Sequence, residues 1–128
     1  MIVVDTSVWI GAFRSAASRE AEVLRALLDA DEVALAVPVR VEILGGASKT
    51  DRVRLRRVLS ALPVLYPTDD TWGMVDGWID TASTAGQRFG FGDLLIGALA
   101  RETGSLLWSL DADFSRMARL GLVDLYEP

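Results

Sequence analysis

Hydrophobic residues along this chain alternate between short β-branched runs and longer stretches with an apolar residue every three or four positions. The first pattern predicts strands and the second helices. Ile2-Val3-Val4, closed by Asp5, reads as a buried strand that delivers a carboxylate to a sheet edge. Val8, Trp9, Ile10 and Phe13 then predict a short apolar helix ending between Gly11 and Ser15. Ser18 opens a second helix with Ala21, Leu24, Leu27 and Leu28 at helical spacing. Residues 33–37 form the next β run, and Pro38 stands where a following helix would start. That helix carries Val41, Glu42, Ile43 and Leu44 and stops at Gly45-Gly46. A basic helix is expected over 51–60 and a third strand over 62–66.

Thr68, followed by Asp69 and Asp70, begins a long helix with Trp72, Val75, Ile79, Ala82 and Phe89 facing inward. Gly90 and Gly92 break the chain just before Asp93. Residues 94–101 are apolar almost all round, the mark of a helix buried on most sides, and Gly104 ends it. A fourth strand over 105–110 leads into Asp111 and Asp113, a helical turn through Leu120 and a last strand over 122–125. Strands alternating with helices predict an α/β fold: a mostly parallel sheet, right-handed crossovers, and helices on both faces.

Composition narrows the chemistry. At 128 residues, 51% of them hydrophobic, the length suits one domain with a real core. The longest strongly apolar stretch, 94–100, is far too short to span a bilayer, and no basic region precedes the first apolar run, so the chain reads as soluble and unexported. With no Cys there is no thiol nucleophile, thiolate zinc site or disulfide scaffold. With no His there is no Ser-His-Asp triad and no imidazole ligand. Carboxylates and a hard metal are the means of hydrolysis left.

Asp5 follows the first strand, Glu42 lies in the helix after the second, Asp93 precedes the buried helix, and Asp111 and Asp113 follow the fourth strand. In a parallel sheet the carboxyl ends of neighbouring strands share one side, so Asp5 and the Asp111/Asp113 pair can converge. Each acid also has a plainer role. Asp5, Thr6, Ser7 and Asp93 suit helix caps, Asp111 and Asp113 suit a turn, and an isolated Glu42 suits a solvated helix face. Each, however, is flanked by residues expected to be buried. Clustered carboxylates in a half-buried cleft repel one another unless a cation sits among them. Oxygen-only donors select Mg²⁺ or Mn²⁺, and such a site suits phosphodiester hydrolysis.

Four motifs follow one another in the chain: Val3-Val4-Asp5-Thr6-Ser7, Pro38-x-x-x-Glu42, Gly92-Asp93-Leu94-Leu95-Ile96-x-Ala98 and Ser109-Leu110-Asp111-Ala112-Asp113-Phe114. Together they resemble the PIN-domain ribonucleases, in particular the VapC toxins of bacterial VapBC toxin-antitoxin pairs. The resemblance covers essentially the whole chain. It implies an α/β/α sandwich, Mg²⁺-dependent RNA cleavage in the cytoplasm, a small VapB-like antitoxin as inhibitor, and a homodimer that joins toxin-antitoxin hetero-oligomers. By resemblance, Asp5 and Asp93 are the main metal ligands, and Glu42 with Asp111 or Asp113 completes the acidic site. Thr6 and Ser109 are candidates for orienting a ligand or water. Trp108 stands where an aliphatic strand residue is commoner.

Net charge is −5, which by itself argues against a nucleic-acid partner. Setting the five site acids aside leaves 13 acids against 13 bases. Arg52, Arg54, Arg56 and Arg57 surround Val53, Leu55, Val58 and Leu59; they are candidate RNA-backbone contacts or simply a solvated face. Trp9 and Phe13 crowd a short helix with more apolar surface than one inward face can use, and are candidate antitoxin contacts unless Trp9 is core. An acidic-pocket phosphotransfer domain would need a basic group at a late strand, and the only lysine is Lys49. A non-catalytic binding protein with this fold would not need the full acid set.

Overall fold

The β-branched runs form strands that pair only in parallel. In the computed structural model, which describes residues 1–128, β1 (Ile2–Val4), β2 (Val33–Ala36), β3 (Val64–Leu65) and β4 (Leu106–Trp108) make one sheet in the order β3-β2-β1-β4. β1 is central: Ile2 pairs with Val33 on one side and with Leu106 on the other. Ile2, Val3 and Val4 are all buried, as are all four residues of β2. Because consecutive strand residues point to opposite faces, burial of every one means that both faces are covered.

The cover is helical: α1 (Thr6–Arg14), α2 (Arg19–Asp29), α3 (Val37–Gly46), α4 (Lys49–Leu59), α5 (Asp69–Thr84), α6 (Phe91–Glu102) and α7 (Ala112–Arg119). The expected α/β/α sandwich is therefore formed, with a sheet that is wholly parallel. A single cluster of 32 buried hydrophobic residues runs through it. Trp108 fits that cluster by packing edge-on against Tyr126, with ring centroids 5.6 Å apart. After β1 the chain turns to β2 on one side, while β4 is added on the other. The crevice beyond the carboxyl ends of β1 and β4 is thus the point where strand order reverses.

Four expectations are corrected. On α5 the inward stripe is Thr71, Val75, Trp78 and Ala82, whereas Trp72 and Ile79 are exposed. Both stripes have helical spacing. The observed phase seats Trp78 against Gly97 of α6, leaves Trp72 stacked on Phe91, and lets the Thr71 hydroxyl bond Glu102. Phe89 is buried, but beyond the end of α5. Gly92 does not break the chain, since α6 starts at Phe91 with Gly90 as its cap. The last strand reduces to one bridge between Leu125 and Leu107, because Arg101 draws the Gly121 and Leu122 carbonyls to its guanidinium at 3.0 and 2.9 Å. Trp9 is core, only 1% exposed, so it is no surface contact.

Packing around α6 leaves no room for a side chain at Gly97. A Cβ there would lie 2.7 Å from Met117 Cε and 3.1 Å from both Trp78 Cζ3 and Val123 Cγ1. Overpacking of a core costs about 1–3 kcal/mol, against about 0.5–1 kcal/mol gained by replacing Gly in a helix. Gly97→Ala is expected to lower the free energy of unfolding, read as an earlier urea midpoint at unchanged slope.

Candidate metal centre

The site is assembled where β1 and β4 end side by side. Asp5 N–H donates to the Trp108 carbonyl at 2.8 Å, which holds the two strand ends together one residue past their pairing. Asp5 also caps α1, accepting from Ser7 N at 3.3 Å. The residue is 6% exposed, and its Oδ2 further accepts from Ser7 Oγ at 2.7 Å and Ser109 Oγ at 2.8 Å. All three bonds go to Oδ2. Ser7 Oγ in turn accepts from Leu110 N at 3.0 Å, and Ser109 Oγ from Asp111 N at 2.9 Å. Ser109 thus holds the Asp5 carboxylate in place. Ser7 does as much, a role its place as a good cap residue had concealed.

Carboxylate oxygens of Asp93, Asp111 and Asp113 come within 4.8 Å of one another. Asp111 caps α7 by accepting from Asp113 N at 2.9 Å. Asp93 caps nothing, because that position belongs to Gly90; it lies in the first turn of α6 with its side chain turned to the other acids. Its carboxyl is pushed up to about 7, by partial burial first, then by the charges of Asp111 and Asp5, and then by Asp113. A helix N-terminus favours an anion, so burial and crowding together outweigh the dipole here. Asp113 moves the other way, held below the usual range by Arg116, which donates to its Oδ1 at 2.5 Å.

Glu42 projects from α3, exposed along its length but with Oε1 folded over Gly92, 3.8 Å from where a Cβ would stand. Its carboxyl is raised by desolvation and then by the charge of Asp5, an effect the Thr6 hydroxyl partly offsets. Thr6 is itself buried, in the first turn of α1. Asp93, Asp111 and Asp113 thus form one cluster, and the charge of Asp5 is felt by both Asp93 and Glu42. The arginine cluster is on α4: Arg52 is turned back to the Ala47 carbonyl at 3.3 Å, Arg54 pairs loosely with Asp51 at 3.7 Å and lines a groove shared with Glu42, and Arg56 and Arg57 are exposed. Arg116, absent from the sequence reading, is the one base in contact with the acids.

A model of the PIN domain matches residues 2–120. The chain belongs to the PIN-domain family. It is 35% identical over 125 residues to the VapC ribonuclease Mb1587 of Mycobacterium bovis and, equally, to Ribonuclease VapC11 of Mycobacterium tuberculosis. Each alignment covers 94% of this chain and 93% of the relative. Among solved structures, VapBC2 from Rickettsia felis, bound to a promoter DNA fragment, superposes with a TM-score of 0.80 at 18% identity over 98% of both chains. VapC20 of Mycobacterium tuberculosis, described as a sarcin-ricin loop cleaving toxin, gives 0.64 at 22% identity, over 91% of this chain and 94% of that one. At such identities these structures are likenesses of fold.

For this PIN-domain ribonuclease the donor set fits the divalent metal on which such nucleases depend. Every donor is a hard oxygen, and the raised Asp93 marks anions brought together without enough positive charge. That strain gives a test in metal-free protein. Between pH 3.8 and about 7 the folded state keeps a proton on Asp93 that the unfolded chain releases. The native state then binds more protons than the unfolded one, so this group makes stability fall as pH rises through that window. Asp93→Asn is expected to flatten the slope, and with it to raise the melting temperature at pH 8 measured in EDTA.

Proposed function

We propose that this ribonuclease is a VapC-type toxin: a cytoplasmic endoribonuclease that hydrolyses RNA phosphodiester bonds with Mg²⁺, or Mn²⁺ in its place, and is neutralised by a VapB-like antitoxin. The meeting of Asp93, Asp111 and Asp113 within 4.8 Å, beside the buried Asp5, is the observation that carries this reading. Asp5 and Asp93 would be the main holders of the ion, with Asp111 or Asp113 and Glu42 completing the acid set. When bound, it supplies a Lewis acid for the phosphate and an activated water.

The chain's own residues do the positioning. Ser7 and Ser109 occupy Asp5 Oδ2, so the carboxylate cannot rotate freely and its Oδ1 carries none of the three bonds. Glu42, whose carboxyl is raised by desolvation and by the charge of Asp5, is placed to hold or release a proton at Oε1 more readily than an ordinary surface glutamate. Arg56 and Arg57, exposed on α4, are suited to backbone contacts with RNA, supported by Arg54 and Arg52.

A groove of about 410 Å³ supports the antitoxin reading. Ile10, Phe13, Ile43 and Leu55 supply its apolar walls, and Glu42 lies at its edge. Phe13 is 49% exposed, so an amphipathic segment seated there would cover it and reach the acids. Val41, Trp72, Ile79 and Phe91 are also exposed, apolar surface that suits the homodimer expected of the family.

Asp5→Asn and Asp93→Asn are each expected to lower Mg²⁺-dependent cleavage of total RNA at least about 100-fold, the upper end of the loss from removing a mere supporting contact. Circular dichroism should show both folded, and full activity in either would remove the carboxylate-metal reading. Phe13→Ala should weaken binding of the antitoxin encoded beside it about tenfold or more, as for a buried aromatic anchor, while cleavage stays within about twofold. Wild-type affinity of that variant, measured by titration calorimetry, would take the dock elsewhere.

A further inference from the structure

Arg116 is held in a way that a surface arginine on a short helix does not require. On one side it donates to Asp113 Oδ1 at 2.5 Å. On the other it donates to Gln87 Oε1, 29 residues away in the connection between α5 and α6. Its guanidinium carbon lies 4.8 Å from the centre of the Phe89 ring. An i,i+3 pair with Asp113 alone would be a routine surface contact of little consequence. The added amide and aromatic partners come from a separate segment and fix the plane of the group. Arg119, three residues on, is simply exposed.

The consequence concerns charge. Asp113 is one of three carboxylates whose oxygens lie within 4.8 Å of one another, so the guanidinium is separated from the centre of that cluster by a single carboxyl group. Two-metal phosphodiesterase sites hold their ions about 3.5–4 Å apart, joined by a shared carboxylate. Here Asp113 Oδ1 is already taken by Arg116. An arginine remains charged at every accessible pH, and one carboxylate away it disfavours a second divalent ion at short range. Resting on the metal reading above, we propose that Arg116 is the fixed second cation of this site. The crevice takes one divalent ion, and the guanidinium stands where a second would be bound.

Arg116 is then a positioning residue that acts through Asp113, and its role is read in metal stoichiometry as well as in turnover. Titration calorimetry of the full chain with MnCl₂ is expected to give one ion per chain for the wild type and for Arg116→Lys, which keeps the charge. Arg116→Gln, which keeps a donor but loses the charge, should bind two. Gln and Met are both good helix formers, so Arg116→Met is a second neutral variant should the first not fold. Two ions on the wild type, or one ion on a folded neutral variant, overturns the proposal. No ion on the wild type overturns the metal reading itself.

Discussion

One carboxylate oxygen, Asp5 Oδ2, joins the parts on which the site depends. It receives the Ser7 amide and hydroxyl from the start of α1 and the Ser109 hydroxyl from the end of β4. The neighbouring backbone bond from Asp5 N to the Trp108 carbonyl fixes the two strand ends in register. Those strands are separated by about a hundred residues of chain, so their alignment is a tertiary achievement rather than a local one. Charge-assisted hydrogen bonds are roughly twice as strong as neutral ones, and these are shielded from water by the burial of Asp5. The serines on either side are therefore as much part of the site as the acids.

The same arrangement is costly to the fold. Asp93, Asp111 and Asp113 meet on a surface where only Arg116 supplies opposing charge, and Asp93 responds by holding its proton to about pH 7. A sequence selected for stability alone would break up this cluster. Its persistence beside a tightly packed core, where Gly97 leaves no space for even one methyl group, separates the two demands spatially. The core is apolar and continuous through the sheet, while the strain is confined to the crevice at its edge.

Much of this was legible in the residues. Strand runs, caps and Gly stops placed the elements to within a few positions, and the four motifs hold the five acids whose charges the fold brings to bear on one another. What the residues could not convey was the choice between equivalent solutions. On α5 two apolar stripes one position apart have the same periodicity, and only the fit of Trp78 against α6 and of Thr71 against Glu102 decides between them. Trp9 and Phe13, four apart on α1, looked alike, yet one is core and the other exposed, because the inward face of a nine-residue helix has room for a single large ring. The C-terminal run had the composition of a strand, but its Leu122 carbonyl goes to Arg101 and only Leu125 bridges to Leu107. Arg116 carried no local signal, since its partners Gln87 and Phe89 are distant in sequence.

Capping and metal binding had stood as rival explanations for these aspartates, and the geometry removes the rivalry for most of them. Asp5 caps α1, Asp111 caps α7, and Asp93 and Asp113 lie in the first turns of α6 and α7. Four acids therefore sit at the positive ends of three helices, each a position that favours an anion by about 0.3–1 kcal/mol. Asp93 is nevertheless raised, by burial first and then by its neighbours' charges, so the dipoles moderate the clustering without cancelling it. Glu42, in the middle of α3, has no such support, and its carboxyl is raised as well. Helix ends let the fold gather anions before any cation arrives, and the charge they leave unbalanced is what a divalent ion would neutralise.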